Sequence, residues 1–175
     1  MRKLTGLLWA LAMAILLIPP AYGVGDRAAG AVLMDAESGR VLYEHDAHTP
    51  RLIASTTKLM TALVAAERAE DLEQVVTVKG EWLGSEGSSI YLQAGEEITL
   101  RGLLYGLLLQ SGNDAAMVIA CHLAGSEEAF AALMNEKAAQ LGMKNSSFVN
   151  ASGLNDDNHY STAYDMALLA QACLR

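Results

Sequence analysis

The sequence predicts an α+β fold in which a β-hairpin is followed by a series of packed helices. Residues 31–35 and 40–44 are short β-type runs separated by a turn at 36–39, and apolar helical patterns dominate the rest of the chain. The chain is 52% hydrophobic and 18% charged, so it can bury a substantial core. Its 175 residues correspond to one domain or to part of one.

The β-type runs are apolar throughout rather than alternating, which predicts that other elements cover the hairpin on at least one face. A further short strand is expected at 75–78. Polar capping residues and glycines then delimit the helices. Thr162 and Asp165 fit a capping box, in which the hydroxyl caps the last helix and the acid reaches back. Helices are expected at residues 55–68, 99–109, 114–123, 126–141 and 166–173.

The first 23 residues have the pattern of a secretory signal peptide. Arg2 and Lys3 give a basic start, residues 4–18 are almost wholly apolar, and small residues follow at the cleavage-type positions. A membrane-spanning helix needs about 20 apolar residues, so an uncleaved anchor is the less favoured alternative. We therefore divide the chain into a signal peptide, 1–23, and an exported domain, 24–175.

The charge of the exported domain argues against nucleic acid as a partner. Two of the 12 Lys and Arg residues fall in the signal peptide, which leaves ten against 20 Asp and Glu and a net charge of about −10. An acidic surface of this kind repels phosphate backbones. Contact with a membrane is expected only through the signal peptide or through an anchor farther along the natural protein.

The cysteines and histidines do not predict a metal site. Export permits a disulfide between Cys121 and Cys173, and two separate buried thiols agree equally well with the apolar patterns around them. His45 and His48 lie in a polar loop without a second pair of ligands at a suitable spacing, so surface positions are expected for both. No metal or other cofactor is predicted.

Residues 54–61 combine a hydroxyl group and an amine at the start of an apolar helix. Ser55 and Lys58 are three residues apart, which places them on one face of that helix. A lysine amine can accept the proton of a serine hydroxyl and so activate it as a nucleophile. The unpaired N–H groups of the first helical turn would stabilise an oxyanion beside Ser55. In the alternative reading, Ser55 only caps the helix and Lys58 is a surface charge.

A polar break separates two of the apolar helices. Ser111, Gly112 and Asn113 interrupt the helical pattern between residues 109 and 114. Short polar segments held between rigid helices often carry functional groups. An ordinary helix–helix turn is the alternative.

Three motifs occur together in the order and spacing of an enzyme family. They are S-T-T-K at 55–58, S-G-N at 111–113 and H-Y-S-T-A-Y-D-M at 159–166. From about residue 28 to its end, the chain resembles the serine-type D-alanyl-D-alanine carboxypeptidases, the low-molecular-mass penicillin-binding proteins. The resemblance implies the α+β fold shared by β-lactamases and penicillin-binding proteins, with the helical subdomain and the first sheet hairpin present.

The resemblance also implies a reaction. Ser55 would attack the peptide bond between two D-alanines, and Lys58 would accept its proton. Ser111 would relay the proton to the leaving amine, and Asn113 would bind the amide of the substrate. The substrate would be a peptidoglycan stem peptide ending in D-Ala-D-Ala, β-lactams would acylate Ser55 as inhibitors, and no cofactor would be needed. Such a hydrolase acts in cell-wall biogenesis and cell shape, in the periplasm or at the outer face of the cytoplasmic membrane.

The family's Lys-Thr-Gly motif does not follow Asn113 in this chain. In the family that motif lies on a later strand, so residues 24–175 are expected to be the N-terminal part of the domain, with the later sheet strands missing. The chain as written is then expected to be a weak catalyst with an apolar face left bare. One alternative is a non-catalytic penicillin- or wall-binding remnant. A serine β-lactamase is less favoured, because no E-x-x-L-N segment follows Asn113.

Overall fold

The computed structural model describes residues 27–175, so the predicted signal peptide lies outside the described residues. The strands of this part of the chain are β1 (Ala31–Met34), β2 (Val41–His45), β3 (Val75–Thr77) and β4 (Glu97–Thr99). The helices are α1 (Lys58–Arg68), α2 (Leu100–Leu109), α3 (Asn113–Ala124), α4 (Glu127–Leu141) and α5 (Ala163–Cys173). Over 27–175, no single helix has the length and apolarity to cross a membrane; α3 and α4 pass that test only as a pair, bent by 85°.

The predicted hairpin is confirmed. β1 and β2 pair antiparallel, with Leu33 opposite Tyr43, and the register shifts between Leu33 and Met34. Helix α5 packs against β1. Leu33 and Leu42 nevertheless remain 49% and 52% exposed, so the helices cover the hairpin only in part.

A second small sheet pairs β3 with β4 antiparallel, with Val76 opposite Ile98. The sequence predicted β3 but not β4, and it placed Thr99 in the following helix. Strand β4 is only three residues long and joins α2 directly, so its sequence carries no separate strand signal. Its partner lies about twenty residues earlier, and that pairing decides its conformation.

Helix α1 is the centre of the molecule. It contacts each of the other four helices, and Met60, Val64 and Ala65 are at most 2% exposed. A helix that is apolar nearly all round is expected in such a position. Every other helix, the second small sheet with its adjoining segments and the loop before α5 also contribute to the core. Its fully or almost fully buried residues include Val76, Val78, Leu100, Leu103, Leu107, Val118, Ile119, Phe130, Met134, Phe148 and Leu169.

The predicted helix ends follow local capping chemistry. The hydroxyls of Thr99, Ser126 and Thr162 each accept a hydrogen bond from the backbone N–H three residues later. Gly125 and Gly142 end α3 and α4 in the left-handed conformation. These caps explain why the helix limits could be predicted to within a few residues.

The capping box at the start of α5 is only half correct. Thr162 caps the helix as predicted, but Asp165 does not act as the reaching acid. Its carboxylate instead accepts from the Asn145 N–H and from the Ser146 hydroxyl, both at 2.8 Å. Asp165 therefore ties the loop before α5 to the helix, a role that depends on distant residues.

The two cysteines are free thiols; Cys121 is only partly buried and Cys173 is exposed, so the prediction of two buried thiols is wrong. His48 lies 3.6 Å from the Glu44 carboxylate, and its ring centre is 4.8 Å from that of Tyr164. Within residues 27–175, no group of three or more His, Cys, Asp or Glu side chains is arranged to hold a metal ion.

Candidate active site

Ser55 lies in a tight turn that precedes α1. Ala54–Thr57 form a 3₁₀ turn and α1 begins at Lys58, so the prediction of an α-helix from residue 55 is wrong by three residues. The N–H and the hydroxyl of Thr56 both donate to the carbonyl of Ile53, at 3.2 and 2.6 Å, which favours the tighter i to i+3 turn. The turn leaves Ser55 exposed to solvent.

Lys58 is buried directly beside Ser55. Its Nζ lies 3.0 Å from Ser55 Oγ and donates to the Ser152 carbonyl at 2.7 Å. Only 3% of Lys58 is exposed. Burial disfavours the charged ammonium and holds the pKa of Lys58 below its ordinary value. The neutral amine, the form that can accept a proton, is therefore populated at a lower pH than in an exposed lysine.

Ser111 reaches the same hydroxyl from the other side. Its Oγ lies 3.0 Å from Ser55 Oγ, although the two residues are 56 positions apart. The break between α2 and α3 allows this approach. Ser111 has a φ of +56° and Ala54, next to Ser55, has a φ of +44°. Non-glycine residues seldom adopt these values, and such conformations are often found at functional sites.

Asn113 is the first residue of α3 and is only 6% exposed. Its Nδ2 donates to the carbonyl of Glu86 at 2.5 Å, and its backbone N–H donates to the carbonyl of Ser88 at 2.7 Å. The loop around Gly87 is therefore held against α3. The contact to Glu86 leaves the amide oxygen of Asn113 as an acceptor at the site.

Asp114 holds the same loop through its carboxylate. It accepts from the Ser89 hydroxyl at 2.6 Å and from the N–H groups of Ile90 and Leu92 at 3.0 and 3.1 Å. Burial acts to raise the pKa of Asp114, but these hydrogen bonds and that from the Ala115 N–H outweigh it and hold the pKa below its ordinary value. The carboxylate is thus ionised at neutral pH and fixes one wall of the site.

Ser55 opens into a cleft of about 590 Å³. Two loops form its walls, one before α2 and one before α5. The lining residues are Ala54, Ser55, Glu86, Gly87, Ser88, Asn113, Ser152, Gly153, Leu154 and Asn155. Of the four residues predicted for the site, Ser55 and Asn113 line this cleft. Lys58 and Ser111 contact Ser55 directly.

The loop wall before α5 is built on Asn150 and Gly153. The Asn150 side-chain oxygen accepts from the N–H groups of Ser152 and Gly153, at 3.2 and 2.7 Å. Gly153 has a φ of +87°, and a Cβ on it would lie 1.9 Å from the carbonyl oxygen of Ala54. Only glycine allows the loop to approach the turn that carries Ser55.

Ser152 and Gly153 were not among the residues predicted for the site. They lie in the segment 145–159, between two predicted helices, where no helix or strand was predicted. Its length was the available signal, because structureless loops of about 12–15 residues or more are uncommon in compact domains and are often functional. The contact of the Ser152 carbonyl with Lys58 joins residues 94 positions apart and has no local signature.

Comparison with known proteins identifies the family. Residues 23–175 match the family model of peptidase family S11, D-alanyl-D-alanine carboxypeptidase. The chain belongs to this family. The predicted resemblance to the D-alanyl-D-alanine carboxypeptidases is therefore confirmed.

Curated carboxypeptidases of the family match much of the chain. D-alanyl-D-alanine carboxypeptidase DacF of Bacillus subtilis is 40% identical over 152 residues, which are 85% of this chain and 39% of that protein. DacA of Escherichia coli K12 is 38% identical over 154 residues, 82% of this chain and 38% of that protein. The chain thus spans about two fifths of the length of these relatives.

Solved structures of carboxypeptidases and penicillin-binding proteins share the fold. DacD from Francisella tularensis superposes with a TM-score of 0.81 at 34% identity, over 89% of this chain and 38% of that one. Penicillin binding protein 6B from Escherichia coli superposes with a TM-score of 0.80 at 32% identity, over 89% of this chain and 51% of that one. The predicted α+β fold of the penicillin-binding-protein type is confirmed.

The four residues predicted for the site come from two segments and converge as expected. Ser55, Lys58 and Ser111 form a continuous chain of contacts, and Asn113 lies on the wall beside them. Their catalytic and binding roles remain predictions.

Proposed function

We propose that the whole protein to which this chain belongs is a serine-type D-Ala-D-Ala carboxypeptidase. It removes the terminal D-alanine from peptidoglycan stem peptides through an acyl-serine intermediate. The observation that supports this most strongly is the position of Ser55 Oγ, 3.0 Å from both Lys58 Nζ and Ser111 Oγ. A buried amine and a second hydroxyl around one exposed hydroxyl are the components needed to activate a serine and to return its proton.

In the acylation step, neutral Lys58 takes the proton of Ser55 while Oγ attacks the carbonyl carbon of the penultimate D-alanine. The C–N bond of the tetrahedral intermediate then breaks. The proton passes from Lys58 through Ser111 to the departing amine, and D-alanine leaves. Water attacks the ester with Lys58 again as the proton acceptor. The C–Oγ bond then breaks, Lys58 returns the proton to Ser55 Oγ, and the shortened peptide is released.

Asn113 positions the substrate in this proposal. Its Nδ2 is held by the Glu86 carbonyl, so its side-chain oxygen is the group that accepts from an N–H of the peptide. β-Lactams would enter the same cleft and acylate Ser55, because their strained amide takes the place of the D-Ala-D-Ala bond. The basic and apolar pattern of residues 1–23 supports export to the cell envelope, where peptidoglycan lies.

Labelling with a fluorescent penicillin tests the proposal. The protein is expressed from its complete coding sequence, and the label is located by mass spectrometry of the intact protein and of its peptides. We expect one label on Ser55 and none on the Ser55→Ala variant. Equal labelling of wild type and variant would rule out this nucleophile.

Release of D-alanine from a peptide ending in D-Ala-D-Ala separates an enzyme from a binding protein. We expect turnover by the wild type. A stable penicillin label without D-alanine release would instead support the non-catalytic penicillin-binding alternative.

A further inference from the structure

A second buried polar contact lies directly behind the candidate site. The hydroxyl oxygen of Thr57 is 2.7 Å from Nε2 of His159, a residue 102 positions away. Thr57 is completely buried and His159 is 1% exposed. The proposed reaction uses neither side chain. Burying a polar group without a hydrogen-bond partner costs free energy, so each of these side chains depends on the other. Such a pair is expected to have a structural or functional role.

The hydrogen bonds of the ring define its protonation. The backbone N–H of Val149 donates to Nδ1 of His159 at 3.2 Å, so Nδ1 carries no proton. Burial lowers the pKa of His159 and so favours a neutral ring. The charge of Asp156 acts in the opposite direction but is the smaller effect. In a neutral ring without a proton on Nδ1, Nε2 carries the proton and donates to the Thr57 hydroxyl. The ring of Phe148 packs edge-on against that of His159, with 5.6 Å between the ring centres, and restricts the orientation of the imidazole.

This bridge fixes a loop whose carbonyl groups contact α1. The Thr61 hydroxyl donates to the carbonyl of Ala151 at 2.6 Å, and Lys58 Nζ donates to the carbonyl of Ser152 at 2.7 Å. A neutral amine has two N–H groups and one lone pair. When one N–H is directed at Ser152, the orientation of the lone pair relative to Ser55 is restricted.

We propose that His159 is a positioning residue for Lys58. Through the Thr57 hydroxyl, it holds residues 149–153 against α1, so that the Ser152 carbonyl orients the Lys58 amine towards Ser55. This inference rests on the proposed function in one respect, the role of Lys58 as the proton acceptor.

Two substitutions of His159 form a matched pair. Gln can place an N–H where Nε2 lies and so keeps the donor to Thr57, whereas the shorter Asn cannot reach it. We expect His159→Asn to slow the acylation of Ser55 by penicillin at least tenfold and His159→Gln to stay within about threefold of wild type. His122→Asn is the control, because His122 is also partly buried but contacts Gln74, away from the cleft.

Two substitutions of Thr57 test the other end of the bridge. Thr57→Val removes the hydroxyl and keeps the branched shape, and Thr57→Ser keeps the hydroxyl. We expect Thr57→Val to act like His159→Asn, and Thr57→Ser to act like His159→Gln. If His159→Asn and Thr57→Val fold and acylate at the wild-type rate, the proposal is wrong.

Two further readouts separate positioning from stability alone. The pH midpoint of the acylation rate reports the ionisation of Lys58, and we expect it to move in His159→Asn and Thr57→Val. A lower rate with an unchanged midpoint would mean that the pair only stabilises the fold. Hydrogen exchange of the Gly153 amide should also accelerate about tenfold in these two variants and not in His122→Asn.

The tautomer is tested without any activity. Nitrogen NMR of the wild type should show a proton on Nε2 of His159 and none on Nδ1, and the opposite result would overturn the bridge. Should the wild type take no penicillin label, the proposed function fails, while the tautomer and the exchange rates still decide whether His159 holds the loop. A label on Ser55 with no difference among the variants rejects only the positioning role.

Discussion

At the scale of single residues, the burial of Lys58 determines how Ser55 can react. An ammonium ion removed from water is unfavourable unless it is paired with a charge, and the contacts of Lys58 Nζ are a hydroxyl and a carbonyl, both uncharged. The lowered pKa of Lys58 follows from this burial. The same side chain in an exposed position would be almost fully protonated at neutral pH.

We predict that the rate of Ser55 acylation rises with pH through the lowered pKa of Lys58. Below that pKa the amine is protonated and cannot accept the hydroxyl proton, and above it the amine is neutral. The pH midpoint of the acylation rate, measured with penicillin, should therefore lie below the ordinary lysine value of about 10.4. A midpoint at the ordinary value would contradict the assignment of Lys58 as the proton acceptor.

Gly153 is the second residue on which the site depends. We predict that Gly153→Ala lowers the free energy of unfolding by more than the about 1–2 kcal/mol that a left-handed backbone costs an ordinary residue. The additional loss arises because the new Cβ would overlap the Ala54 carbonyl, 1.9 Å away, and would displace the loop from Ser55. Acylation should fall more than tenfold. Urea unfolding and penicillin labelling measure the two effects.

Gly125→Ala is the matched control for that substitution. Gly125 has a φ of +85°, close to the +87° of Gly153, but a Cβ on it would meet no atom within 4 Å. It should therefore show only the backbone cost, of about 1–2 kcal/mol, and normal acylation. Equal losses in the two variants would mean that the close approach of Gly153 to Ala54 is unimportant.

At the scale of elements, the helices could be predicted from sequence because their signals are local. Thr99, Ser126 and Thr162 cap helices within their own first turns, and Gly125 and Gly142 end helices without help from distant residues. Periodicity and caps need a window of only a few residues to be recognised.

What could not be predicted depends on contacts between distant residues. Strand β4 is defined by pairing with β3, and the carboxylate of Asp165 is directed by the loop at 145–146. The same applies to the site. The motifs indicated Ser55, Lys58, Ser111 and Asn113, whereas the stretch around Ser152, which supplies the carbonyl to Lys58, belongs to none of the three motifs.

The loop between β3 and β4 depends on one carboxylate. We predict that Asp114→Asn lowers the free energy of unfolding by about 1–3 kcal/mol, because an amide replaces one acceptor oxygen with a donor that faces backbone N–H groups. Ser89→Ala removes only one of the hydrogen bonds and should cost about 0.5–1.5 kcal/mol. Urea unfolding compares the two. A loss in Asp114→Asn no larger than in Ser89→Ala would show that the backbone contacts of this carboxylate add little.

At the scale of the whole molecule, the site lies at the N-terminal end of the helix that contacts all four others. Helix α1 packs on all the other helices, and its first turn carries Lys58 while the preceding turn carries Ser55 and Thr57. A close-packed core resists small displacements of its parts. The polar groups at this end of α1 are thus held in place by the packing of all the helices. The stability of this packing depends in turn on the protonation of buried side chains.

We predict that the protein loses stability as the pH falls below about 6.5, where its buried histidines would be protonated in the unfolded chain. Burial lowers the pKa of His159 and of His122 in the folded state. Between those lowered values and the ordinary value of about 6.5, the unfolded chain binds more protons than the folded one, so the free energy of unfolding rises with pH and falls on acidification. One such histidine gives a slope of at most about 1.4 kcal/mol per pH unit.

Urea unfolding at several pH values between 7.5 and 5 measures this slope in wild type and in His159→Gln. Burial raises the pKa of Glu127, which acts in the opposite direction, since the folded state then holds its proton more tightly. The contribution of Glu127 is common to both proteins, so their difference isolates His159. Because His159 is 1% exposed and His122 only partly buried, His159→Gln should remove the larger part of the acid sensitivity. Identical slopes in the two proteins would mean that the ring of His159 takes up its proton as easily in the folded chain as in the unfolded one.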